Sequence, residues 1–226
     1  MHNALVISRI TGWAADSGLA DALSWLSLAV RQAASLDDVP KDPLAYAVAI
    51  VRLAPGDPPP TAAQWGNAGL SDAIQFVVGS APDNLAYIGG TLREPITERA
   101  IAAALANSGY LLPLPGECPA IGRHISGLVE GDTAIISQLV ASLMDTTSAD
   151  LLGFQQACAD QHWEEARARA HRIKGTAHMA GTASLARLSQ RIEALAAQGQ
   201  GETLRALHAI YVPAVERVLA ALAALK

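Results

Sequence analysis

The side chains best suited to chemistry lie in residues 170–181, which read AHRIKGTAHMAG. If this stretch is an α-helix, which turns by about 100° per residue, several polar or small residues fall on one face of it. These are Arg167, His171, Lys174, Gly175 and His178. The opposite arc is apolar and consists of Ala166, Ala170, Ile173, Ala177 and Ala180. The pattern predicts a helix that packs through its alanine-rich arc and holds His171 on the solvent side, inside a basic strip.

The residues around His171 are of types that serve phosphoryl chemistry. An exposed imidazole is largely uncharged near neutral pH, so a ring nitrogen can attack phosphorus. Lys174, at i+3, can hold a positive charge against phosphoryl oxygens. Gly175, at i+4, removes a side chain that would block an approaching partner, although glycine inside a helix costs roughly 1 kcal/mol relative to alanine.

Other interpretations of these histidines stay open at this point. A lone histidine on a helix is more often a solvated or hydrogen-bonded side chain, so spacing alone does not establish catalysis. A metal site built on His171 and His178 is disfavoured, because i,i+7 spacing separates them by about 10.5 Å along the helix axis and no third ligand is evident. We therefore expect no metal here, and we expect His178 to be a surface residue.

Amphipathic patterns predict helices around this stretch, in residues 120–226. Asp132 is a suitable N-cap for one helix and Ser148 for the next. Their inward residues are expected to be Ile135, Ile136, Leu139, Val140, Leu143 and Met144 in the first, and Leu151, Leu152, Phe154 and Cys158 in the second. Further helices are predicted at Trp163–Met179, around Leu185, Leu188, Ile192 and Leu195, and at Glu202–Leu225 with a bend at Pro213. Long helices with short turns predict an all-α, up-and-down four-helix bundle.

Residues 1–111 have a different sequence pattern, in which short apolar runs typical of strands alternate with stretches that favour helices. The predicted strands are Ala4–Ser8, Ser27–Val30, Ala45–Val51, Ile74–Val78 and Ala86–Ile88. The predicted helices are Ser17–Leu26, Ala62–Ala73 and Ile96–Ala106. This alternation predicts an α/β domain with a doubly wound, five-stranded parallel sheet. Residues 112–119 contain three prolines and one glycine and are predicted to be a linker.

Composition argues against several classes of protein. The chain has 226 residues and a formal net charge of −5, so we expect no nonspecific nucleic-acid binding, which needs a basic surface. Two cysteines are too few for a disulfide framework or a zinc cluster. No signal peptide is visible, and no uninterrupted apolar run approaches the roughly 20 residues of a membrane span. We expect a cytoplasmic protein with no direct membrane contact from this segment.

The run His171-x-x-Lys174-Gly175-Thr176-Ala177, followed by Gly181, resembles the signature of histidine-containing phosphotransfer (HPt) domains. The resemblance extends from Cys118 to the end of the chain. It includes residues 128–132, 160–163 and 188–195, which fall where the family's helices and turns would put them. It departs from the family at residues 143–144, where the family often has a phenylalanine.

This resemblance implies a role in phosphorelay signalling. His171 would accept a phosphoryl group from the phospho-aspartate of a response-regulator receiver domain and pass it to another regulator, with Lys174 and Gly175 in support. The surface that docks beside the acidic receiver pocket is expected to include Arg167, Arg172 and His178. The partner would supply Mg²⁺, so we expect no cofactor of the chain's own. Consistent with this, the sequence has no P-loop and no glycine-rich ATP lid.

Residues 1–111 resemble, more weakly, a receiver domain that has lost its chemistry. Receivers end their first strand with paired acids, and here that strand is followed by Ser8-Arg9. They end the third strand with the acceptor aspartate, where this chain has Arg52, and their Lys-Pro pair is replaced by Glu94-Pro95. Ser80-Ala81 does match the usual hydroxyl-plus-small pattern. The resemblance implies a pseudo-receiver without a Mg²⁺ site, while an unrelated α/β module remains an alternative.

A receiver-like domain followed by an HPt domain resembles the C-terminal end of a hybrid sensor histidine kinase. The chain is then expected to be the cytoplasmic part of a membrane-bound sensor. Two other functions stay open. In the first, the bundle or the pseudo-receiver serves only as a non-catalytic interaction module. In the second, His171 is a general base, although the sequence shows no nucleophile or acid partner at a spacing typical of a catalytic site.

Overall fold

A five-stranded parallel sheet forms the centre of the N-terminal half. The structure is a computed structural model that describes residues 2–40, 46–79 and 89–225. The strands are β1 (His2–Ile7), β2 (Leu28–Ala33), β3 (Tyr46–Arg52), β4 (Ile74–Val78) and β5 (Gly90–Leu92). They lie in the order β2-β1-β3-β4-β5, and every neighbouring pair is parallel. The predicted parallel sheet is confirmed.

The strands lie close to where the alternating pattern placed them. The central strands are apolar because both faces of the sheet are covered, and the stretch from Val48 to Val51 is buried throughout. The predicted strand Ala86–Ile88 and the Ser80-Ala81 pair lie outside the described residues. The last described strand follows directly afterwards, at Gly90–Leu92.

Short helices flank this sheet. They are α1 (Trp13–Asp16), α2 (Leu19–Trp25), α3 (Ala62–Asn67) and α4 (Glu98–Asn107). The helix predicted at Ser17–Leu26 begins only at Leu19, after Gly18, which has φ +72°. The helix predicted to reach Ala73 ends at Asn67, before a left-handed Gly69. On α3, Trp65 is buried in a core cluster that includes Leu5 and Val51.

Five helices make up the C-terminal half. They are α5 (Glu117–Leu128), α6 (Thr133–Ala159), α7 (Trp163–Met179), α8 (Ala183–Ala197) and α9 (Gly201–Ala223). The chain divides into two compact units between Tyr110 and Leu111. Short turns join α6 to α9, as predicted for an up-and-down bundle. The apolar residues around which α8 was predicted are buried, and Leu188 and Ile192 have no exposed surface; the same holds for Leu207 on α9.

Helix α6 differs from the prediction. Asp132 caps it as predicted and accepts hydrogen bonds from the backbone N–H of Ala134 and Ile135. Ser148 does not begin a second helix, because nothing in the surrounding sequence breaks the first. Leu152 is 69% exposed instead of inward-facing, and Ile135 is 47% exposed. One continuous helix turns these two side chains away from the core.

The proline-rich segment also differs from a simple linker. Glu117, Cys118 and Pro119 form the first turn of α5, where proline is tolerated because that turn's N–H groups lack helical partners. Leu112 is buried, and its carbonyl accepts a hydrogen bond from Arg217 Nη1 at 3.3 Å. Leu114 is also buried, and its backbone N–H donates to Glu117. These residues pack as part of the helical unit.

Helix α9 is, among the described residues, the one helix long and apolar enough to cross a membrane by length and composition. Core helices of bundles satisfy the same test, so this is weak evidence for a span. The helix has nine buried residues, including Leu204, Tyr211 and Leu222.

Candidate functional site

Helix α7 presents the two faces that its sequence predicts. Ala166, Ala170, Ile173 and Ala177 have no exposed surface, and Ala180, just after the helix, is 1% exposed. Small side chains let neighbouring helices approach closely. The opposite face is left to solvent, so the packing of α7 decides which residues are available for chemistry.

His171 lies on this open face. Its side chain is 68% exposed, and its Nδ1 lies 3.1 Å from Oε2 of Glu193 on α8. A carboxylate can only accept a hydrogen bond, so the neutral imidazole donates through Nδ1–H. The nucleophilic lone pair is then on Nε2. Glu193 therefore selects the tautomer and fixes the orientation of the ring.

Lys174 is held by the same carboxylate. Its Nζ lies 2.7 Å from Glu193 Oε1, while the Glu193 side chain is only 18% exposed. One glutamate thus places an imidazole and an ammonium group side by side, one helical turn apart on α7. Sequence reasoning missed Glu193. A signal was present, because α7 and α8 are antiparallel and His171 and Glu193 are equally far in sequence from Thr182 at their turn.

Gly175 is not required by packing within the chain. A Cβ built at this position meets no heavy atom within 4 Å, so the space above it is open. Glycine in the middle of a helix lowers stability relative to alanine. The absence of a side chain at Gly175 therefore has no intramolecular explanation in the described structure, and it clears the surface beside His171.

The side chains of the basic strip pair with three carboxylates, those of Glu193, Asp150 and Glu164. Arg172 Nε lies 2.8 Å from Oδ1 of Asp150 on α6, whose side chain is 9% exposed. Arg167 pairs with Glu164 on its own helix, and that hydrogen bond lowers the pKa of the Glu164 carboxyl below its ordinary value. His178 is exposed near the end of α7. The strip is therefore a surface of paired charges and not a bare positive patch.

Arg169 joins the Asp150 pair. Its Nη1 lies 3.2 Å from Asp150 Oδ1 and its Nη2 lies 2.9 Å from Glu165. A Cβ built on Gly153 would lie 2.7 Å from Arg169 Nε, so the glycine makes room for the guanidinium to cross α6. This network ties α7 to α6 on the side away from Glu193.

Metal ligation has no support in the part of the chain that the structure describes. Residues 2–40, 46–79 and 89–225 contain no group of three or more His, Cys, Asp or Glu side chains placed to hold a metal ion. The site on α7 and α8 consists of one nucleophile candidate, one cation and one carboxylate.

Two residues at positions compared above with those of a receiver, Arg52 and Glu94, meet at the carboxyl edge of the sheet. Arg52, at the end of β3, donates from Nε to Glu94 Oε1 at 2.9 Å, and the indole N–H of Trp13 donates to the same oxygen at 3.0 Å. The Arg52 hydrogen bond, with a smaller contribution from Trp13, lowers the pKa of the Glu94 carboxyl below its ordinary value. Where the resemblance would put a receiver's aspartate and lysine, this chain has an arginine and a glutamate, which form an ion pair with the charges exchanged.

Comparison with known proteins supports the assignment of the bundle. Residues 138–226 match the family model of the Hpt domain. No curated protein and no solved structure matches the chain. The matched residues contain α7 and α8, and with them His171, Lys174 and Glu193. Residues 138–226 are therefore an Hpt domain, preceded by an α/β parallel-sheet region consistent with a receiver-like domain, and such a domain implies phosphorelay in two-component signalling.

Proposed function

We propose that His171 accepts a phosphoryl group from the phospho-aspartate of a receiver domain and passes it to a second response regulator. The observation that carries this proposal is the exposed imidazole whose Nδ1 lies 3.1 Å from Glu193. That hydrogen bond leaves Nε2 as the nucleophilic nitrogen of an accessible ring.

The transfer exchanges one bond for another. Nε2 of His171 attacks phosphorus, a P–N bond forms, and the P–O bond to the partner's aspartate breaks. The aspartate leaves as a carboxylate, and no proton has to move, because Nδ1–H stays hydrogen-bonded to Glu193. The positive charge that develops on the ring is balanced by that carboxylate. In the second step, the aspartate of another receiver attacks phosphorus and the P–N bond breaks.

Lys174 and Gly175 have supporting roles in this proposal. Glu193 holds the ammonium group of Lys174 one turn from His171, where its remaining N–H groups can donate to phosphoryl oxygens. The open space above Gly175 admits the partner's active-site loops. The Mg²⁺ and the acids that bind it are supplied by the receiver.

The rim of the docking surface would consist of Arg167, Arg172 and His178. Because Arg167 and Arg172 are ion-paired with Glu164 and Asp150, they contribute orientation more than net positive charge. Truncating a rim charge is therefore expected to alter the association rate more than the transfer step.

The proposed setting is the cytoplasmic C-terminal end of a hybrid sensor histidine kinase. The support for this is the presence of a receiver-like α/β unit before the Hpt domain on the same chain. In that setting, the signal and the ATP-dependent step belong to other domains.

The test is phosphotransfer from a panel of ³²P-labelled phospho-receivers to the full chain. His162 is the matched control, because it is an exposed histidine at the start of the same helix and lies outside the proposed docking surface. We expect acid-labile, alkali-stable label that His171→Gln abolishes and His162→Gln leaves within twofold. Label that persists in His171→Gln would place the acceptor elsewhere. No label from any donor, with the fold intact by circular dichroism, would favour a non-catalytic interaction module.

A further inference from the structure

A cavity opens at the carboxyl edge of the sheet in the N-terminal unit. Its volume is about 250 Å³, and its polar lining consists of Ser8, Arg9, Ser35, Arg52, Asp57 and Gln64. These residues come from the ends of β1, β2 and β3, from the loop after β3, and from α3. The cavity therefore lies where several elements converge, and it does not depend on a single loop.

A second cavity continues from the first. Its volume is about 410 Å³, and it shares Ser35, Leu36 and Gln64 with the first cavity before reaching Asp37 and Asn67. The two together make a groove between α3 and the segment that follows β2. We call it the β1–β3 groove. Its size matches that of small-molecule sites, which are commonly about 300–1,000 Å³.

The position of the groove in the topology is the second observation. β1 lies between β2 and β3 in the sheet, so the connections that leave β1 and β3 diverge at this edge. In open parallel sheets, ligands bind outside the carboxyl ends of the strands at such a switch point. At this edge receiver domains have acids that hold a metal ion, whereas this chain has the cationic side chains of Arg9 and Arg52.

Both arginines keep donors outside their ion pairs. Arg9 is 77% exposed, and its one ion pair with a described residue joins Nη1 to Asp57 at 3.4 Å, which is long for a strong pair. Arg52 uses Nε and Nη2 for Glu94, and that pair leaves Nη1 unengaged. A phosphate, with a charge of roughly −1.5 to −2, competes well against the one carboxylate of Asp57.

Apart from the carboxylates of Asp37 and Asp57, the remaining polar groups of the groove are neutral. Gln64 accepts from the Thr61 backbone through Oε1, which leaves its Nε2 as a donor beyond that bond. Ser35 has a hydroxyl that donates to Asp38 and can still accept. These groups suit hydroxyls or a heterocycle, and not a second charge.

From these observations, we propose that the β1–β3 groove binds a small organic phosphate. The phosphate is taken by the end that contains Arg9 and Arg52, and the hydroxyl-bearing or heterocyclic body lies along Ser35 and Gln64. The degenerate receiver would then be a ligand-binding unit. The proposal concerns the N-terminal unit alone and does not rest on phosphotransfer at His171.

The experiment is isothermal titration of the full chain with two phosphates and their neutral counterparts. The probes are glucose 6-phosphate against glucose, and adenosine 5′-monophosphate against adenosine, at fixed ionic strength. We expect one phosphate to bind saturably with one site per chain and its neutral counterpart to bind at least tenfold more weakly. No saturable binding of either phosphate at millimolar concentration would overturn the proposal.

Variants locate the site. Arg9→Gln should weaken binding at least tenfold, and Arg52→Lys is a second variant that keeps a charge for Glu94. The matched control is Arg31→Gln, an exposed arginine on β2 that does not line the groove. Equal effects of Arg9→Gln and Arg31→Gln, or loss of binding in Lys174→Gln, would overturn the proposal, because they would indicate nonspecific or bundle-bound phosphate. Lys174→Gln also separates the two proposals, since phosphotransfer should respond to it and groove binding should not.

Discussion

In each unit a carboxylate holds two other side chains, but only one of the two sites leaves a nucleophilic atom open to a partner. On α7 and α8, the carboxylate of Glu193 holds His171 and Lys174 and leaves an exposed ring nitrogen that can form a covalent bond. At the edge of the sheet, the carboxylate of Glu94 holds Arg52 and the Trp13 indole, neither of which is a nucleophile near neutral pH. A buried or half-buried ion pair therefore does not by itself indicate group transfer. What distinguishes the units is whether a nucleophilic atom is left open to a partner.

The largest expected effect comes from removing the carboxylate in the bundle. Glu193→Ala should lower the rate of phosphotransfer to His171 by roughly 10- to 100-fold, because a hydrogen bond to a charged group is worth about 1.5–3 kcal/mol. Glu193→Gln keeps an oxygen that accepts from Nδ1–H, so it should recover part of the rate. Single-turnover transfer from a phospho-receiver measures both variants.

The control for this prediction is Glu216→Ala, which removes an exposed acid on α9. Its transfer rate should stay within twofold of the unmodified chain. If Glu193→Ala and Glu193→Gln lose the same fraction of activity as they lose folded protein, Glu193 is structural only. Equal phosphotransfer rates for Glu193→Ala, Glu193→Gln and Glu216→Ala would contradict the role of Glu193 in positioning His171.

Two glycines near the site should respond to alanine in opposite ways. Gly181 has φ +70°, and a Cβ there would lie 2.7 Å from the His124 ring, so Gly181→Ala should lower the free energy of unfolding by about 2 kcal/mol. Gly175 is helical with open space above it, so Gly175→Ala should raise that free energy by roughly 0.5–1 kcal/mol. Urea denaturation followed by circular dichroism measures both.

The same pair separates stability from function. Although it is more stable, Gly175→Ala should transfer phosphoryl groups several-fold more slowly, because its methyl group projects into the space that we assign to the partner. A stable variant with an unchanged transfer rate would show that Gly175 does not provide clearance.

Acid should weaken the bundle at a higher pH than it weakens the edge of the sheet. His208 on α9 is half-buried and stacks on Phe154, and burial lowers its pKa from the ordinary value of 6.5. The unfolded state therefore binds the proton more readily, and the free energy of unfolding should fall as the pH drops below about 6.5. His208→Phe should remove this part of the pH dependence in urea denaturation between pH 7.5 and 5. An unchanged slope would contradict the assignment.

The smallest effect is expected at Glu94. Its pKa is lowered, so its contribution to stability is present above pH 4.5, the ordinary value, and is lost as the pH falls through the lower folded value. Because the side chain is 45% exposed, we expect a contribution of at most about 1 kcal/mol. The Trp13 indole N–H resonance should titrate with a midpoint below 4.5, and Glu94→Gln should abolish that titration while Asp72→Asn leaves it intact.

Much of the fold followed from local pattern. The alternation of apolar runs and helices predicted the parallel sheet, and the alanine arc of α7 predicted which side of that helix is buried. The predictions that were wrong also came from local pattern, that is, from single residues or short runs. Ser148 is a good capping residue, but a cap begins a helix only where the preceding helix stops, and α6 continues through it. The predicted linker was read from its prolines, whereas the burial of Leu112 and Leu114 depends on helices far away in sequence.

By itself, the sequence determined that His171 lies on the open face of a helix, with Lys174 and Gly175 one turn away, because helical periodicity is a property of consecutive residues. It also determined that no acid stands at Ser8-Arg9 or Arg52, the positions that the resemblance compares with those of a receiver, because the sequence itself gives the residue type at each position. Only the tertiary structure decided that Glu193 joins His171 to Lys174, that Asp150 takes Arg172, and that Glu94 pairs with Arg52. These partners come from different elements, and side chains that meet across helices or strands are chosen by packing, which no local pattern contains.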